Sequence, residues 1–159
     1  MEQFFFFYGG PASQWYPSVF NLDGVEYDCA EQCMMHKKAL LFGDDEIAQQ
    51  IMAAKDDPKT QKALGRKVAN FDEDIWNATA KLIVYRANRA KFTQNTELKS
   101  WLLSTTGKTL VEASPFDRIW GIGLAPRDPE AASRSTWQGL NWLGEIVTLV
   151  RDDISLEIT

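Results

Sequence analysis

The chain alternates short apolar runs with longer stretches in which apolar side chains recur every three or four residues, so strands and amphipathic helices are both expected, with helices in excess. Phe4-Phe5-Phe6-Phe7-Tyr8 reads as a short strand covered on both faces and ended by Gly9-Gly10-Pro11. Val19–Leu22 and Val25–Tyr27 flank Asp23-Gly24, a dipeptide that tolerates the positive φ of a tight turn, so a hairpin is expected near 18–27. Asp28 with Glu31 three residues later has the pattern of a capping box and predicts a helix from about 29 to 42, before Gly43. Residues 44–54 predict a second helix, and Asp57-Pro58 opens a third, with Ala63, Leu64 and Val68 as its periodic contacts.

From Asp72, the positions Ile75, Trp76, Thr79, Leu82, Ile83, Arg86 and Ala90 mark a long helix to about Phe92, apolar apart from Thr79 and Arg86. Gln94–Leu103 gives a further helix with Leu98, Trp101 and Leu102 on one face. Leu110-Val111-Glu112 reads as a strand, Ile119-Trp120 as a shorter extended piece, Gly121–Arg134 as loop and Ser135–Asp153 as the last helix. No repeat or linker divides the sequence. The expectation is one α+β domain over residues 1–159, mostly helical, with a small β-sheet and an N-terminal hairpin.

Charge narrows the function classes. The 17 Lys and Arg against 22 Asp and Glu leave a net charge of −5, so no global field draws the chain onto nucleic acid, and any phosphate contact must be local. With two cysteines and one histidine, the chain cannot supply the usual four ligands of a zinc site, and chemistry without metal or cofactor is expected. Neither a signal segment nor an apolar run of membrane-spanning length is present, so a cytoplasmic protein without a membrane partner is expected.

Within the first helix, Glu31 and Lys38 are seven residues apart, hence about 20° apart around the axis and about 10 Å along it. Two groups so placed can reach one bound molecule from its two sides: a carboxylate can move protons, and an amine in a dry pocket can attack a carbonyl carbon. The plainer alternative is that Glu31 completes the capping box and Lys38 is a solvated amine. Cys29 and Cys33, four apart, are better read as small buried residues than as a metal or redox pair, and His36 has no sequence neighbour to orient it as a base. The basic clusters Arg66-Lys67 and Arg86, Arg89 and Lys91 could hold a pyrophosphate or simply be solvated.

Towards the C-terminus, Asp117-Arg118-Ile119-Trp120-Gly121-Ile122-Gly123 and Trp137-Gln138-Gly139-Leu140-Asn141-Trp142-Leu143-Gly144 combine tryptophan with glycine. That pairing permits a flat indole with backbone close by, suited to stacking a ring, and equally suits aromatic core residues near turns. Asn141, an amide among aromatics, needs hydrogen-bond partners that a ligand could supply.

Taken in order, Phe6-Phe7-Tyr8, Gly24-Val25-Glu26-Tyr27, the Glu31 to Lys38 helix, Ala90-Lys91-Phe92 with Gln94, Leu110-Val111-Glu112, Asp117 with Trp120-Gly121-Ile122-Gly123, and Gly139 to Gly144 make the chain resemble the NADAR family nearly throughout. The resemblance implies metal-free hydrolysis of an N-glycosidic bond to a phosphorylated ribose. ADP-ribose on guanine in nucleic acid, or a riboflavin-pathway intermediate, would be the substrate. By matching positions, Glu31 would be the acid/base and Lys38 the amine at the anomeric carbon, with Tyr8, Gln32, Asp117, Trp120, Gly121, Gly123 and Asn141 lining the site. Members often carry Ser-Glu-His where this chain has Ala30-Glu31-Gln32, so Gln32 would orient the sugar through its amide. A module that binds ADP-ribose without cleaving it, and a protein-interaction surface built from tryptophans, are the rival readings.

Overall fold

The computed structural model describes residues 1–158, which form two compact units: Gln14–Thr96, and Met1–Ser13 with the chain from Glu97 onward. Among the described residues no helix is long and apolar enough to cross a membrane.

The contiguous unit begins with the expected hairpin. β1 (Gln3–Phe7) belongs to the other unit; here β2 (Phe20–Leu22) pairs antiparallel with β3 (Val25–Tyr27), joined by Asp23-Gly24, both at positive φ. The turn is pinned from outside, because the Asp23 carboxylate accepts from Lys37 at 2.5 Å and from both terminal nitrogens of Arg86 at 2.7 and 3.1 Å. Arg86 therefore serves the hairpin rather than a phosphate. Four helices follow: α1 (Ala30–Leu41), α2 (Asp45–Ala53), α3 (Pro58–Gly65) and α4 (Glu73–Gln94). Asp44, Asp57 and Asp72 cap the last three, each carboxylate accepting from the backbone N–H three residues on.

Expectations for this unit change at three helices: on α3, Ala63 is exposed and Val68 lies beyond the helix end. α1 is not closed by a capping box: its N-cap is Cys29, which makes no side-chain cap bond. Asp28 instead accepts from the Asp56 N–H at 2.6 Å and the Gln61 amide at 3.1 Å, so its carboxylate ties α1 to the α2–α3 connection. On α4, Ile75, Leu82 and Arg86 lie on the exposed side, and the buried stripe is Trp76, Ala80, Val84, Ala87, Asn88 and Lys91. On this face Ala80, Ala87 and Ala90 are interleaved with the larger Trp76, Val84, Asn88, Lys91 and Phe92. Phe20, Tyr27, Cys33, Ala87 and Ala90 form one core cluster there.

In the other unit, β1 pairs in parallel with β4 (Lys108–Glu112), from Gln3 opposite Lys108 to Phe7 opposite Glu112. The phenylalanines alternate as a strand requires: Phe4 meets Trp137 at 5.2 Å, while Phe5 meets Trp101, on α5 (Thr96–Ser104), at 5.6 Å. Tyr8 lies beyond the strand and is exposed. Ile119-Trp120 is not extended; the Asp117 carboxylate accepts from both their N–H groups, at 2.9 and 2.8 Å, and curls the segment into a bend. The last helix, α6 (Trp142–Ile158), starts seven residues later than the pattern predicts. Asn141 holds φ at 52°, a left-handed conformation through which an α-helix cannot run, so residues before it form two short 3₁₀ turns, Pro129–Ala132 and Arg134–Thr136.

Candidate active site

Within the contiguous unit, α1 carries the three candidate residues Glu31, Gln32 and Lys38. Its first two turns are almost wholly covered: Glu31 is 6% exposed and Gln32 2%. The Glu31 N–H donates to the Gln14 carbonyl at 2.9 Å, and the Gln14 side chain accepts from Asn88, which also donates to the Val84 carbonyl. The start of α1 is thus laced to α4 through one amide pair. Gln32 is spent on main chain, accepting from the Asp28 N–H at 2.8 Å and donating to the Ile51 carbonyl at 3.3 Å. Its amide fixes the helix rather than offering itself to a sugar.

Lys38 is not a freely solvated amine. It is half-buried, with Nζ 4.7 Å from the centre of the Phe71 ring and 5.4 Å from that of Trp76. Burial pulls its pKa below the ordinary lysine value; the Glu31 charge opposes this, and Arg66 adds a smaller push downward. Glu31 and Lys38 are therefore coupled through space on the shared face that their seven-residue spacing predicts. An amine so held loses its proton more readily than a surface lysine, which is what a nucleophilic amine requires.

Other titratable groups surround this helix. His36 has the partner its sequence neighbours did not suggest: Nδ1 lies 2.7 Å from the Tyr27 hydroxyl, and burial lowers the histidine's pKa. Lys91, which the sequence offers as part of a basic cluster for a pyrophosphate or for solvent, is fully buried, with Nζ 4.9 Å from the Phe92 ring centre and 5.9 Å from that of Tyr16. Burial pushes its pKa down to about 7. Cys29 and Cys33 are free, buried thiols pushed up to about 12 by the same effect, and so are poor nucleophiles. Among the described residues no group of three His, Cys, Asp or Glu side chains is placed to hold a metal ion.

These shifts set a pH dependence of stability. His36, Lys38 and Lys91 have folded-state pKa values below their unfolded ones, so the unfolded chain binds more protons and stability rises with pH. The rise begins just below the histidine value, continues from about 7 for Lys91, and is offset once the cysteines of the unfolded chain ionise above about 8.5. The expected outcome is a urea midpoint that climbs between about pH 6 and 8.5 and then levels off. Lys91→Met should remove most of the climb above about pH 7; an unchanged slope would deny Lys91 this role.

The remaining candidates lie in the other unit. Tyr8 is 62% exposed and, with Ala113, Pro115, Ala125, Pro126 and Arg127, borders an open groove of about 350 Å³. Asp117 holds the bend described above, and its carbonyl also accepts from the Gly123 N–H at 3.1 Å. Trp120 is half-buried and meets Trp142 edge-on at 5.4 Å. Asn141 is fully buried, and its amide is engaged at both ends: Oδ1 accepts from the Glu112 N–H at 2.9 Å and Nδ2 donates to the Leu110 carbonyl at 3.1 Å. It acts as a clasp on β4.

The glycines here share one cause. Gly121 is buried with the Glu112 carbonyl oxygen 2.9 Å from where its Cβ would stand, Gly123 has φ at 71°, and a Cβ on Gly139 would strike the carbonyl oxygen of Gly121. Close backbone passage, rather than access for a stacked ring, explains the Trp-Gly pattern. Sequence reasoning missed the environment of Lys91, yet the signal was present: Ala80, Val84, Ala87 and Lys91 follow the four-three-four spacing of a buried helix stripe.

A family model described as the NADAR domain matches residues 6–155. The chain is 44% identical over 146 residues to the N-glycosidase R617 of Acanthamoeba polyphaga mimivirus, covering 89% of this chain and 85% of that protein. It is 40% identical over 158 residues to protein irg-1 of Caenorhabditis elegans, covering 89% of this chain and 74% of that protein. In structure it is similar to the Escherichia coli protein YbiA solved by NMR, with a TM-score of 0.80 at 24% identity over 99% of this chain and 89% of the other.

Proposed function

This chain belongs to the NADAR family, and we propose that it is an N-glycosidase that cleaves the bond between a base and a phosphorylated ribose, removing ADP-ribose from guanine in nucleic acid. The observation that carries this reading is the coupled pair on α1: a buried carboxylate, Glu31, and two turns along a half-buried amine, Lys38, whose proton is loosened by its surroundings. A module that only held ADP-ribose, or a docking surface of tryptophans, would need neither the pair nor the burial.

Two routes use these groups. In the first, positive charge builds at the anomeric carbon as the C–N bond breaks, the Glu31 carboxylate stabilises it, and a protonated group assists the base. In the second, the furanose ring opens with proton transfer to its oxygen and the neutral Lys38 amine adds to the anomeric carbon. The base then departs with a proton, leaving an imine that water hydrolyses to free sugar and amine. Glu31 moves the protons in each step, and the sum is one water consumed per bond broken. The second route accounts for an amine standing where a second carboxylate would otherwise serve. The net charge of −5 means that a nucleic-acid substrate would be held through its ADP-ribosyl group rather than along its backbone, so binding to unmodified DNA is expected to be weak.

The test incubates the protein with ADP-ribosyl-guanine DNA and RNA, ADP-ribosylated protein and phosphoribosyl pyrimidines in parallel, with and without borohydride, and reads released sugar and protein mass. The expected result is ADP-ribose released from the guanine adduct and a reduced sugar adduct mapped to Lys38. Release from the pyrimidine alone would move the substrate to the riboflavin-type intermediates. Turnover without any trapped adduct favours the oxocarbenium route, and no release from any of the set overturns the reading.

A further inference from the structure

We propose that Phe71 recognises the leaving base, presenting its ring to the planar group that departs from the carbon engaged by Lys38. The inference rests on the N-glycosidase reading above. It starts from the position of one nitrogen: Lys38 Nζ lies over both Phe71 and Trp76, at 4.7 and 5.4 Å from the ring centres. A carbon within attacking distance of that nitrogen, about 3–3.5 Å, brings a group it carries within reach of the same rings when it approaches from their side. The two rings differ in what they can offer. Trp76 is 9% exposed and belongs to the core of its unit, whereas Phe71 is 45% exposed.

Local sequence gives Phe71 a simpler duty as well. It immediately precedes Asp72, the N-cap of α4, and Trp76 is the fourth residue of that helix, which are the two positions of a hydrophobic staple. A staple fixes where the chain enters the helix, but it does not call for an aromatic ring left nearly half open, nor for an amine poised above it. Phe42 packs against the ring, at 5.4 Å between centres and a tilt of 58°. No charged side chain need enter such a contact. What the ring recognises is flatness and a poorly hydrated face, which nucleobases and pyrimidine intermediates share and aliphatic leaving groups lack.

The experiment compares Phe71→Leu, which retains apolar bulk but loses the flat face, with Phe71→Tyr, which retains both. On the full chain with ADP-ribosyl-guanine DNA as substrate, product inhibition is measured separately with free guanine and free ADP-ribose. Phe71→Leu is expected to weaken inhibition by guanine about 10-fold, the scale of one base-on-ring contact, with inhibition by ADP-ribose unchanged and Lys38 still trapped by borohydride. Phe71→Tyr is expected to behave as the parent. Unchanged guanine inhibition, or equal weakening of both products with a lowered melting temperature, overturns the assignment while leaving the glycosidase reading intact. Failure of the parent protein to release base from any substrate overturns both.

Discussion

On the proposed mechanism, Glu31→Gln is expected to lower kcat by about 10²–10⁴-fold with little change in melting temperature. The substitution preserves the shape of a side chain that is 6% exposed, and the bond from its N–H to the Gln14 carbonyl is untouched, so the fold loses no main-chain tie. What disappears is a group able to give and take a proton. A second signature separates this from a packing defect. The Glu31 charge favours the protonated form of Lys38, so its removal lets the amine deprotonate at lower pH, and the acid limb of the kcat profile moves down. The profile is read by single-turnover release of sugar across pH. A variant that turns over like the parent removes Glu31 from the mechanism.

The second large effect is on stability. Gly144→Ala is expected to cost about 3 kcal/mol or to prevent folding, as read by urea unfolding of whatever soluble protein is recovered. A Cβ at this position would collide with the Leu110 carbonyl oxygen and with both terminal atoms of the Asn141 amide. Those are the atoms that bind Asn141 to β4, so relief by shifting them would break the hydrogen bonds to Glu112 and Leu110. Neither neighbour is the yielding tip of a flexible chain. Parent-like stability would mean that α6 can slide away from β4 at no cost, contrary to the clasp.

The same contrast explains how much was legible in the sequence. Short-range signals were reliable because they are local physics: Asp23-Gly24 had to turn, Asp57-Pro58 had to open a helix, and the spacing of Glu31 and Lys38 placed both on one helix face. Asn141 stands out in the sequence as an amide in need of partners, but a sequence does not say whether those partners are ligand or protein. Here they are the backbone of a strand about thirty residues earlier in the chain. Asp28 misled for the same reason: its local capping pattern lost to a longer-range tie at Asp56 and Gln61. Lys91 reads by its charge as part of a cluster for a pyrophosphate or for solvent, whereas its place in a buried stripe puts it in the core. The aromatic surroundings of Lys38 were invisible, since Phe71 and Trp76 reach it from a helix start more than thirty residues away.

The parallel pairing of β1 with β4 has a consequence for biogenesis. Residues 3–7 find their partner only when residues 108–112 exist, so a ribosome making the chain exposes four consecutive phenylalanines long before their shelter is synthesised. The segment 14–96, a compact unit contiguous in sequence, can condense meanwhile. Slow closure of so long a loop and an unsheltered aromatic stretch together make residues 3–7 the point at which chaperone demand and aggregation should concentrate.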